Sequence, residues 1–179
     1  MKFNKIVMAM SLGVLFAAGA ANAADAIKDQ GHGTISFTGS IIDAPCSITG
    51  DTANQTVDLG EVSNTALNNG ETSSPKTFHI KLEQCDASQI KEGVQVAFTG
   101  APDANNADIL GISGTASGAG IVITNGSGTP IKMGELSPAQ KLGNGQNTLT
   151  FAAYLEKDGA SSVVPGDFNS TADFTLTYN

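Results

Sequence analysis

Apolar and polar residues alternate one by one along several short stretches of this chain, and Ala172-Asp173-Phe174-Thr175-Leu176-Thr177-Tyr178-Asn179 does so without a break. A period of two puts successive side chains on opposite faces of a strand, whereas a helix needs a spacing near 3.6. Lys76–Cys85 repeats the pattern, with Phe78, Ile80 and Leu82 on one face and His79, Lys81 and Glu83 on the other. In Gly93–Gly100 the inward set is Val94, Val96 and Phe98. Turn signals such as Gly50-Asp51, Asn68-Asn69-Gly70, Ser73-Ser74-Pro75 and Asn125-Gly126 punctuate these runs. Helix-period patterns are hard to find. Short alternating strands separated by turns predict an all-β sandwich or barrel.

Further strands are expected over Cys46–Thr49, Thr56–Val62, Ile109–Ile112, Ala119–Thr124, Ile131–Met133 and Asn147–Glu156, with residues 63–75 as a loop. No internal repeat or long linker divides the chain, so one sandwich is expected. The least usual strand pattern is Gly31–Ile42, whose odd positions run Gly, Gly, Ile, Phe, Gly, Ile. It lies near the N-terminus, where chains are usually loose. A glycine also interrupts its apolar face, where glycine normally weakens a strand.

The chain opens with Lys2 and Lys5, continues through a short apolar segment to about Phe16, and reaches Ala21-Asn22-Ala23. This is the layout of a secretory signal peptide cut after Ala23. A membrane anchor is the alternative, but the apolar core falls short of the ~20 residues that span a bilayer. Loss of residues 1–23 leaves seven lysines, no arginine and 17 carboxylates, a formal charge of −10. Such a surface repels nucleic acid and anionic lipid. Cys46 and Cys85, the only cysteines, read as one disulfide in an exported chain, with a pair of free buried thiols as the alternative. Closing that loop stabilises by about 4 kcal/mol in the chain-entropy model.

Catalytic constellations are missing. His32 and His79 are the only histidines and fall in separate stretches, so no zinc-type ligand set forms. No G-x-S-x-G, P-loop or dense calcium loop occurs. Asp103, Asn105, Asn106 and Asp108 could touch a cation, although loops of this composition are usually solvated turns. Neither an enzyme nor a cofactor is expected.

The two ends of the chain resemble pilin subunits of the chaperone–usher pathway, above all the major rod subunits of P-pilus-like, mannose-resistant fimbriae. The resemblance is carried by Gly33-Thr34-Ile35-Ser36-Phe37-Thr38-Gly39, by Ile42-Asp43-Ala44-Pro45-Cys46-Ser47-Ile48, by Cys85 at a strand end, by Gly166 fourteenth from the C-terminus and by the penultimate Tyr178. It implies an incomplete immunoglobulin-like β-sandwich lacking its final strand, and an N-terminal extension that serves as donor strand for another subunit, which is strand addition at an open sheet edge. The implied layout is a signal peptide over 1–23, the extension over 24–42 and the pilin domain over 43–179.

On the same resemblance Gly33, Ile35, Phe37, Gly39 and Ile41 insert into a neighbour, and Gly166, Phe174, Leu176 and Tyr178 line the acceptor groove or meet the chaperone. The implied partners are identical or related pilins, a periplasmic chaperone and an outer-membrane usher. The implied route runs through the periplasm to fimbriae on the cell surface, where the fibre supports adhesion. Minor or adaptor pilins share all these features. A sugar-binding tip adhesin is a further alternative, but one domain leaves no room for a separate receptor domain, and the chain has no Trp for a sugar site.

Overall fold

In the computed structural model, which describes residues 30–179, the alternating stretches become strands wherever a second stretch lies alongside to pair with them. The signal peptide expected over 1–23 lies outside the described residues. The chain divides into two units, one ending at Ser40 and one running from Ile41 to Asn179.

The second unit holds the strands β1 (Ser47–Ile48), β2 (Lys76–Cys85), β3 (Val94–Gly100), β4 (Leu110–Gly111), β5 (Ser113–Gly114), β6 (Ala119–Asn125), β7 (Pro130–Ile131), β8 (Gly145–Lys157), β9 (Phe168–Asn169) and β10 (Ala172–Tyr178). Two short helices, α1 (Gly50–Ala53) and α2 (Asn64–Asn68), lie between β1 and β2. The larger sheet has the order β1-β2-β8-β6-β4, with β7 also on β6. The second sheet is the antiparallel pair β10-β3, and β5 pairs with β9.

The two main sheets face each other across three phenylalanines. Phe78 and Phe151 are opposite one another on β2 and β8, with ring centroids 5.7 Å apart. Phe98 of β3 meets Phe151 edge-on at 5.1 Å and Phe78 at 6.1 Å. Edge-to-face and offset contacts of this kind add to the burial of the rings themselves. Around them Ile80, Leu82, Val94, Val96 and Leu149 are buried. The inward faces read for Lys76–Leu82 and Val94–Phe98 are therefore the core faces.

Two of these expectations need correction. Thr56–Val62 is not a strand. Leu59 is buried, and Val57 and Val62 pack against the core, so the alternation reports burial without pairing. Among the described residues no neighbouring strand reaches this backbone, and Asp58 instead accepts the Gly60 amide at 2.8 Å in a local turn. Residues 63–75 contain α2, where the Ser63 hydroxyl accepts the Ala66 amide at 3.5 Å as an N-cap. Cys85 shares sequence parity with the solvent-facing His79 and Lys81, yet it is buried. The register shifts between Leu82 and Cys85, and Gln84 takes φ 55°. This bulge turns Cys85 inward to form the disulfide with Cys46.

Phe151→Ala removes a ring with no solvent exposure from between the sheets. It is expected to cost about 3–5 kcal/mol, measured by denaturant unfolding against the parent.

Candidate functional site

β10 uses one edge and leaves the other empty. Its register with β3 runs from Ala172 opposite Gly100 to Tyr178 opposite Val94. Among the described residues no backbone group pairs with its opposite edge. The far edge of β3, by contrast, is closed by the segment Gly134–Gln140. The Gln140 amide donates to the Val94 carbonyl at 2.8 Å, the Ser137 amide donates to the Val96 carbonyl at 2.9 Å, and the buried Ser137 hydroxyl accepts the Val96 amide at 3.0 Å. Among the described residues the second sheet is thus open on its β10 side.

A core strand normally buries its apolar face, but Phe174, Leu176 and Tyr178 are only half-buried although they pack against the core cluster. Beside β10 two clefts share Thr56, Val57, Leu59, Ile121 and Ser170. One, of about 580 Å³, is floored by Phe78, Phe98 and Ile123 and reaches Phe174. The other, of about 830 Å³, is walled by Leu67, Leu155, Val163 and Gly166. Together they make one apolar groove. Its banks are segment 54–62, unpaired among the described residues, and the residues leading into β10. Leu176 and Tyr178 lie beyond its walls. The Tyr178 phenol has no hydrogen-bond partner among the described residues, and burial pushes its pKa up.

Gly166 borders the groove for an internal reason. A Cβ there would come 2.5 Å from Thr115 Oγ1 and 2.7 Å from the Ala116 amide nitrogen. Gly39 is the opposite case, because nothing lies within 4 Å of the position its Cβ would take. Among the described residues nothing within the chain requires glycine at 39.

Gly31–Ser40 forms no strand in the isolated chain. Gly33 and Gly39 are exposed, Ile35 and Phe37 are 77% and 89% exposed, and Ile41 is fully exposed. An alternating apolar face has no stability without a surface to cover it. The loop at 103–108 is tied up internally. Asp103 accepts the amides of Asn105 and Asn106, Asn105 donates to the buried Asp158 at 3.0 Å, and Asp108 pairs with Lys132 at 2.9 Å. His79 is exposed, with Nδ1 at 3.2 Å from the Thr150 hydroxyl.

A family model described as fimbrial protein matches residues 35–179. The chain is 55% identical to the Fimbria A protein of Serratia marcescens and 49% identical to the major MR/P fimbria protein of Proteus mirabilis, each over 99% of both chains. The crystal structure of the P pilus rod subunit PapA superposes with a TM-score of 0.68 and 34% identity, over 76% of this chain and all of that one.

Two substitutions separate the glycines. Gly166→Ala should destabilise the isolated chain by about 1–3 kcal/mol through overpacking. Gly39→Ala should leave its unfolding midpoint unchanged, read in the same urea titration.

Proposed function

The chain belongs to the fimbrial protein family and is a structural fimbrial subunit, and from that premise we propose how its residues make the joint between subunits. Gly33, Ile35, Phe37, Gly39 and Ile41 of one copy enter the groove beside β10 of the next as the strand its sandwich lacks. The observation that carries this reading is the empty edge of β10 above a half-exposed core. A seven-residue strand with free amides and carbonyls is a template for strand addition. The stretch from Ile35 to Ile41 has the same length and presents the matching period of two.

Complementarity of surface supports the pairing. The extension exposes apolar side chains with nothing of their own to cover them, and the groove exposes Phe174, Val57 and their neighbours. Full burial of Ile35, Phe37 and Ile41 contributes roughly 1.5–3 kcal/mol each before ordering costs. Strand ladder bonds then satisfy the backbone of β10. Gly39 falls opposite a constricted part of the groove and sets the register.

The same groove needs a temporary occupant before assembly, since an open apolar cleft promotes aggregation. A periplasmic chaperone supplies it, contacting Phe174, Leu176 and Tyr178 near Gly166, and an outer-membrane usher exchanges it for the extension of another subunit. On this reading residues 1–23 are removed on export, 24–42 form the extension and 43–179 the body. Among the described residues no helix is long and apolar enough to cross a membrane.

Gly39→Asn tests the joint. The variant should fold and be captured by the chaperone, while fibres seen by electron microscopy disappear or shorten severely. Fibres of normal length from Gly39→Asn would rule the register out.

A further inference from the structure

We propose that the Cys46–Cys85 disulfide routes fibre tension from the N-terminal extension directly into β2, sparing β1 and the groove bank beyond it. This rests on the donor-strand reading, because only then does the extension carry a pull.

Tension on the extension enters the body along Asp43-Ala44-Pro45-Cys46. The Asp86 amide donates to the Pro45 carbonyl at 2.9 Å, and the next anchor is covalent, Cys46 to Cys85 with the Cα atoms 4.2 Å apart. The stretch after Cys46 has only a short backbone ladder to β2. β1 offers two register positions, Ser47 with Glu83 and Ile48 with Leu82. One further backbone bond runs from the Thr49 amide to the Lys81 carbonyl at 3.0 Å, and side chains add the Lys81 amide to the Thr52 hydroxyl at 3.1 Å, Gln55 to the His79 carbonyl at 3.0 Å and Lys81 to Asp51 at 2.8 Å. Then come the four-residue α1 and residues 54–62, which lack any backbone pairing among the described residues. Pulled from Cys46 without a cross-link, these bonds would load one after another and peel. The peeling would withdraw Val57 and Leu59, a bank of the groove that holds the neighbouring subunit.

The disulfide offers a stronger path. Cys85 ends the ten-residue β2, which is registered against β8 from Lys76 to Leu82. A pull on Cys85 is spread over that ladder in the middle of the larger sheet. The bulge at Gln84 serves this arrangement, since without it the parity of β2 would point Cys85 to solvent. A residue other than glycine with positive φ is uncommon, and here it places a sulfur.

The test holds assembled fibres at constant force and records how long each joint survives. Two variants are compared with the parent, Cys46→Ala with Cys85→Ala, and Thr49→Pro. Proline suits position 49, where φ is −68°, and it removes the amide bond to Lys81 while keeping the disulfide. Thr49→Pro fibres should last as long under load as the parent. Fibres without the disulfide should fail about tenfold sooner under load, equivalent to about 1.4 kcal/mol off the barrier, yet exchange subunits at the parental rate without load. Three results would overturn the proposal: Thr49→Pro shortening the loaded lifetime, disulfide-free fibres holding as long as the parent, or an equal loss at zero force. If the alanine pair does not assemble, Thr49→Pro decides the matter. Failure of the underlying reading shows separately, as fibres formed by a chain lacking residues 24–42.

Discussion

One strand edge governs this molecule. β10 is registered against β3 along seven residues, and among the described residues no backbone group pairs with its other edge. The outer strands of the larger sheet, β1 and β4, are two residues each. Very short edge strands are a usual defence against unwanted pairing. β10 is long and flanked by an apolar groove, so it departs from that defence at one place only. On the proposed reading, a subunit that joins its neighbours by strand addition needs this departure.

Support comes from the aromatic cluster. Phe98 of β3 packs between Phe78 and Phe151 of the opposite sheet, which holds the sheets together next to the opening. Ser137 closes the far edge of β3 with two bonds to Val96. The Thr115–Ala116 turn packs on Gly166 with no space for a methyl group. These contacts pack the floor and one wall of the groove. An occupant gains burial and ladder bonds and does not have to order the floor.

On the proposed donor-strand reading the extension is the reciprocal half. Its described apolar residues are exposed and Gly31–Ser40 forms no strand, so on this reading its order comes from the acceptor. A fibre built this way has no covalent bond between subunits, and its durability is a sum of modest terms repeated along a strand. The disulfide complements this arrangement. It ties the root of the extension to the longest ladder of the sandwich, apart from the groove bank.

Residues 76–82, 94–98 and 172–178 showed in the sequence both their strand character and their inward faces, because alternation is a local property of side-chain burial. The pairing of Cys46 with Cys85 was likewise legible from compartment and count, and the unusual glycine at 39 from its place in an apolar face. The neighbours of a segment could not be read locally. Thr56–Val62 alternates like a strand yet lines a groove, since pairing requires a second backbone that the fold does not bring there. Cys85 had the wrong parity until the Gln84 bulge reversed it, and bulges arise from how two strands fit along their length. The two-residue β9 carried too little pattern to be seen at all. Sequence alone determined which side chains seek burial; the tertiary structure decided which edge stays empty, because an edge is defined only by the strands assembled around it.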